Sequence, residues 1–222
     1  MGTLTHALTV DQFRRYMEVI DQVPDRELPA AAVCAVVVGT GARLSEVRGM
    51  DVGDLFGPDG KPLERVSRTL SKKRSANPVR KTVFFPWDEV GSAVIRWHAL
   101  AVRRFFRRAD EPLFSVRWGG QPLSELHCWR RNKVFLERAG INPAGVGLHG
   151  IRKTFLTVMY YRRLEAEPGN MMGALRYVQD LAGHGTFEVT LRYLADQITT
   201  PHHELVTDIF NRIKHANKKM IE

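Results

Sequence analysis

Between Leu28 and Val38 the chain reads Leu-Pro-Ala-Ala-Ala-Val-Cys-Ala-Val-Val-Val, without one polar side chain. A helix that is apolar on every face has nothing to offer water and must be buried all round. The stretch falls well short of the roughly 20 apolar residues that span a bilayer, and no apolar run of 18 occurs elsewhere. It therefore reads as the central helix of a globular core, closed by Gly39-Thr40-Gly41, with the rest of the chain wrapped around it.

The flanking segments fit that role. Thr9-Val10-Asp11-Gln12 is a capping box opening a helix with Phe13, Met17 and Ile20 on one face. Leu44-Ser45-Glu46-Val47 begins a further helical turn. Leu63–Leu70 and Arg80–Phe85 read as two strands, joined by the basic loop Ser71-Lys72-Lys73-Arg74-Ser75-Ala76-Asn77-Pro78. Helices follow over 88–108, 124–139, 148–165, 171–181 and 186–194. A last one from about His203 places Leu205, Ile209 and Ile213 at i, i+4 and i+8. Gly57-Pro58-Asp59-Gly60 and the run from Glu165 to Asn170 are loops, and neither separates two self-sufficient cores. The expected fold is one domain, mainly α with a small antiparallel β-sheet (α+β).

The 44% apolar and 26% charged residues are those of an ordinary soluble protein. The first residues lack a basic segment followed by an apolar one, so neither a signal peptide nor a membrane location is expected. Cys34 lies in the apolar run and Cys128 beside Trp129, which points to buried thiols rather than a disulfide framework or zinc site. A cytoplasmic protein is expected, nucleoid-associated if the source is prokaryotic. With 33 Lys+Arg against 24 Asp+Glu, the net charge of +9 suits a polyanionic partner, although basicity also serves solubility.

Several short fragments carry chemistry. In Leu148-His149-Gly150-Ile151-Arg152, His149 and Arg152 share a face at the start of a helix, where N–H groups and the dipole attract anions. Gly183 and Gly185 flank His184 in a tight turn between helices, and Tyr193 follows nine residues later. Arg43, in Gly41-Ala42-Arg43-Leu44-Ser45-Glu46, opens the helix after the break. Taken singly, each fragment also has a structural reading. His149 and Arg152 could cap or solvate a helix start, Tyr193 could pack, and Arg43 could pair with Glu46 one turn on.

Taken in order, the fragments resemble the tyrosine recombinase (phage integrase) family: Arg, Lys, His-x-x-Arg, Gly-His, Tyr. The resemblance runs from Thr9 to Leu194 and implies that family's catalytic-domain fold. It implies that Arg43 and Arg152 bind the scissile phosphate of duplex DNA, that His149 and His184 assist, and that Tyr193 is the nucleophile. The family's lysine sits on the hairpin, where Lys72 matches best and Lys73 is a close rival. The chemistry is consistent. Two guanidiniums can each donate paired hydrogen bonds to nonbridging oxygens and stay charged at any relevant pH. A phenol of ordinary pKa about 10 needs a proton acceptor or a cationic site, a task for His149. Lys72 would protonate the departing 5′ oxygen. The 3′-phosphotyrosyl product conserves the bond energy, so no cofactor and no metal is expected.

The resemblance further implies a homo-oligomer, a tetramer on DNA, with accessory DNA-bending proteins as possible partners. It makes 1–222 the catalytic domain, with the helix from about 200 to 222 as a candidate for exchange between protomers through a hinge at Thr199-Thr200-Pro201. Arg103, Arg104, Arg107 and Arg108 form one basic cluster expected to face DNA, and Arg130, Arg131 and Lys133 form another. Three departures stand out. Ala182 replaces the usual leucine before Gly183-His184. The stretch from Arg152 to His184 is longer than usual, suggesting a surface loop insertion near 165–172. The N-terminal core-binding domain of most integrases is absent, as in a fragment or in a short recombinase resembling the fimbrial-switch invertases. Two other functions remain open: a relaxing enzyme of the type IB topoisomerase kind, and a non-catalytic DNA-binding regulator.

Overall fold

The computed structural model describes residues 7–70, 79–105, 108–116 and 120–195. Among these it has nine α-helices and a two-stranded antiparallel sheet, the mainly helical α+β architecture expected. No described helix is long and apolar enough to cross a membrane. By internal packing the chain divides into two units, Met1–Phe155 and Leu156–Glu222.

In the first unit, α1 (Val10–Asp21) opens on the capping box, with Thr9 Oγ1 accepting from the N–H of Gln12 and the Gln12 side chain returning to the N–H of Thr9. Its inward face is Tyr16, Met17 and Ile20, with Phe13 half-buried. Helix α2 (Leu28–Thr40) is buried at every residue. It packs against α1, α3 (Leu44–Arg48), α4 (Trp87–Val90), α5 (Ser92–Phe105) and α6 (Glu125–Arg138). Burying each Val or Leu side chain here contributes about 1.5–3 kcal/mol relative to exposure, so α2 is the framework on which the unit is built.

The helix runs two residues further than Val38. Gly39 is helical, and a Cβ there would sit 2.5 Å from the Phe85 ring. The residue is glycine because that ring packs against the helix backbone. Gly41, at φ 59°, ends the helix in the left-handed conformation. A second difference falls in the segment 88–108, which is two helices, α4 and α5, broken at Gly91. The strands β1 (Arg65–Thr69) and β2 (Arg80–Phe84) pair with Arg65 opposite Phe84 and Arg68 opposite Lys81. A buried Tyr16–Asn132 hydrogen bond of 2.6 Å ties α1 to α6. Cys34 and Cys128 are both buried free thiols.

Helix α7 (Leu148–Ala166) contains the boundary between the units. In the second unit, α8 (Met171–Ala182) is capped by the Asn170 side chain and packs on α9 (Phe187–Ala195). Leu156, Tyr160, Leu175, Val178, Leu181, Leu191 and Leu194 are its large buried apolar residues. The expected loop insertion near 165–172 is shorter than its sequence suggested. Residues 165 and 166 extend α7, and only 167–170 lie between it and α8. The segment 196–222, with the expected last helix, lies outside the described residues, as do the loop 71–78 and Arg107.

Candidate active site

In the first unit the site forms where α2 ends. Thr40 Oγ1 donates to the carbonyl of Val36 at 2.6 Å and accepts from the N–H of Ala42 at 3.1 Å. With Gly41 left-handed, this turn brings Arg43 in extended conformation to the start of α3. Glu46, one turn on, reaches back. Its Oε2 accepts from the N–H of Arg43 at 3.0 Å and its Oε1 from Arg43 Nη1 at 2.6 Å. The pairing open to Arg43 as a structural role is therefore made, and it also holds the guanidinium in place with 17% of the side chain exposed.

Arg152 arrives from far along the chain. Its Nη1 donates to the carbonyl of Gly41 at 2.5 Å and lies 4.0 Å from Glu46 Oε2, and the side chain is 1% exposed. Arg68, on β1, points at the same carboxylate: Nη1 donates to Glu46 Oε2 at 2.9 Å with both side chains fully buried. Burial works to raise the Glu46 pKa, but the N–H of Arg43 and the guanidiniums of Arg68 and Arg43 outweigh it and hold the carboxylate below its ordinary value. Burial pulls Arg68 down to about 10, against the opposing pull of Glu46, so it remains charged at neutral pH. Three guanidiniums thus converge on one carboxylate, which leaves net positive charge in this corner of the unit. A site so charged favours an anion, and phosphate oxygens match guanidinium geometry.

His149, the second residue of α7, is exposed. Lys72 and its rival Lys73 lie outside the described residues.

In the second unit, His184 and Tyr193 lie together. Gly183, at φ 65°, ends α8, and the N–H of His184 donates to the carbonyl of Gln179 at 3.0 Å. His184 is 9% exposed, with Nδ1 3.1 Å from the hydroxyl of buried Thr190. The Tyr193 ring, half-buried on α9, lies 4.7 Å from the imidazole centroid at 52°. The nine-residue spacing thus translates into a direct contact: the turn after Gly183 folds α9 back so that the tyrosine meets the histidine.

Sequence reasoning missed Arg68 and gave Glu46 only a partner's role. Arg68 shares the inward face of β1 with buried Val66, in line with Leu70 just past its end, so a charge on the inward face of a strand was the available signal. Of the basic clusters, Arg103, Arg104 and Arg130 are exposed. Arg108 is paired with Asp110, and Lys133 lies 4.0 Å from the Trp129 ring. Arg131 is bound to Glu27 at 2.6 Å, in a cluster with Arg138 at the start of α2, so it serves packing of α2 on α6.

Known proteins can now be set beside this geometry. The chain is 30% identical over 195 residues to the tyrosine recombinase XerD of Mycobacterium tuberculosis, covering 86% of this chain and 56% of that protein. It is 30% identical over 196 residues to the tyrosine recombinase XerC of Brucella suis, covering 86% of this chain and 55% of that one. The chain thus spans about half the length of the curated relatives it matches. Its fold matches that of XerH site-specific recombinase bound to a palindromic difH substrate (TM-score 0.65, 17% identity, all of this chain and 54% of the other). It also matches XerA recombinase (TM-score 0.62, 18% identity, 94% of this chain and 65% of the other). The model of the phage integrase family matches residues 6–199, a span that contains Arg43, His149, Arg152, His184 and Tyr193, and the chain belongs to that family.

Proposed function

We propose that this chain is the catalytic domain of a site-specific DNA recombinase that cuts and rejoins duplex DNA through Tyr193. The observation that carries the reading is the meeting of Arg43 and Arg152, 109 positions apart in the sequence, around buried Glu46. In the reaction, the Tyr193 oxygen attacks the scissile phosphorus, the 5′ oxygen leaves, and a 3′-phosphotyrosyl bond replaces the phosphodiester. His149 accepts the phenol proton and Lys72 protonates the leaving oxygen. Arg43 and Arg152 donate to the nonbridging oxygens as their charge rises. His184, steadied by Thr190, fixes the tyrosine ring beside the reacting group. Attack by the freed 5′ hydroxyl of another strand reverses each step and rejoins the DNA.

The surplus of positive charge supports a DNA substrate. That the relatives are named tyrosine recombinases favours strand exchange over simple relaxation. A lambda integrase tetramer bound to a Holliday junction shares this fold, which supports a homotetramer on DNA in the cytoplasm as the working assembly. The segment from about residue 200 is exchanged between protomers.

The test is a duplex carrying a nick near the cleavage point, which lets the short leaving strand diffuse away and traps the covalent complex. Wild type should yield a protein–DNA adduct, and Tyr193→Phe should bind DNA without one. An adduct persisting in Tyr193→Phe refutes the assignment.

A further inference from the structure

Arg68 takes no part in the reaction as written, yet it heads the fully buried side chains by volume. We propose that Arg68 is a positioning residue: by occupying Glu46 it keeps Arg152 on the Gly41 carbonyl and Arg43 at the start of α3, both directed at phosphate. The inference rests on the reading of Arg43 and Arg152 as phosphate ligands.

The geometry gives each carboxylate oxygen an assigned donor. Oε1 takes Arg43 Nη1, and Oε2 takes the N–H of Arg43 together with Arg68 Nη1. Arg152 Nη1 lies at 4.0 Å from the same Oε2, close enough for charge attraction but beyond a hydrogen bond. Without Arg68, Oε2 would lose a charged donor while staying buried, and a buried carboxylate short of donors draws in the nearest cation. Arg43 is already bonded to it, so the next cation within reach is Arg152. Moving onto Glu46 would take it off Gly41 and away from an incoming phosphate.

A packing role alone explains the residue poorly. Position 68 faces inward between Val66 and Leu70, where a methionine or leucine would fill the space without desolvating a guanidinium. What an apolar residue cannot do is hold Glu46 Oε2.

The experiment measures single-turnover adduct formation on the nicked duplex at saturating protein, DNA affinity by separate titration, and thermal unfolding. Arg68→Met should slow adduct formation on the order of 10- to 100-fold, the scale on which small misplacements of reacting groups act. DNA affinity should stay within about twofold, since exposed lysines and arginines supply most of it. Glu46→Gln and Arg68→Met combined should fall less than the product of the single effects, because both act through one carboxylate. A folded Arg68→Met with unchanged rate, a rate loss matched by lost affinity, or multiplicative effects would overturn the proposal. Should Arg68→Met fail to fold, Arg68→Lys and Arg68→Gln decide. A lysine variant at least tenfold faster than glutamine supports the role, and equal rates reject it. An absent wild-type adduct, or one that survives Tyr193→Phe, sinks the parent reading before Arg68 is touched.

Discussion

Arg152 Nη1 donates a 2.5 Å hydrogen bond to the carbonyl oxygen of Gly41, joining the start of α7 to the turn that ends α2. One backbone oxygen thereby aims a buried guanidinium, and the same turn delivers Arg43 two residues later. The conformation that makes this possible is left-handed, so the site depends on a residue without a side chain.

Replacing Gly41 tests that dependence. Gly41→Ala should destabilise the protein by about 1–2 kcal/mol, the penalty for a side chain in the left-handed region. Adduct formation should fall further than this loss implies, because the carbonyl that orients Arg152 is displaced. Urea unfolding and single-turnover cleavage measured together decide it, and a variant normal in both would contradict the account.

Thr190 should matter through His184 alone. Thr190→Val keeps the shape and removes the hydroxyl 3.1 Å from Nδ1, so the imidazole loses one of the contacts that hold its orientation. A fall in adduct formation of about tenfold is expected, in line with the loss of an orienting partner. Thr190→Ser should recover most of it. Serine behaving like valine would mean that packing, not the hydroxyl, is the relevant property.

Acid should weaken the anchor at the start of α2. The hydrogen bond from Arg138, opposed by burial and aided by Arg131, holds the Glu27 carboxyl below its ordinary value. A carboxyl depressed in the folded state adds stability above its unfolded pKa of about 4.3, and that share is lost as pH falls through the folded value. Glu27→Gln should therefore be less stable than wild type by about 1–3 kcal/mol at pH 7. The gap should narrow near pH 3. A difference that is constant between the two pH values would show that the charge is not what stabilises.

The cysteines should be silent. Burial pushes the Cys34 thiol up to about 12 and the Cys128 thiol up to about 11, so neither forms thiolate at neutral pH. A thiol reagent should label neither in the native protein and both in denaturant. Rapid native labelling at either position would indicate that this part of the core opens.

Much of the fold was legible because its elements announce themselves locally. The Leu28–Val38 run could only be buried, the Thr9–Gln12 capping box marked the start of α1 to the residue, and Leu63–Leu70 was read as a strand that the structure forms over Arg65–Thr69. Gly39 was misread as a helix end because nothing nearby in sequence reveals the Phe85 ring that requires it. The helix was read as ending at Glu165, yet it runs on through Ala166, since alanine next to a loop is as compatible with a last helical turn as with the loop. Of the candidate residues, Arg43, His149, Arg152, His184 and Tyr193 were visible as spaced fragments. Arg68 was not, because its meaning lies in a carboxylate 22 positions away.

The amino-acid order by itself determined which segments could be helix, strand or turn, and which side chains had chemistry suited to a phosphodiester. Only tertiary structure decided that Glu46 is where Arg43, Arg68 and Arg152 meet, and that Arg131 belongs to Glu27. The physical reason is that periodicity and capping act over a few neighbouring residues. The partner of a buried charge is fixed by where the folded backbone brings the opposite charge, and no local pattern carries that distance.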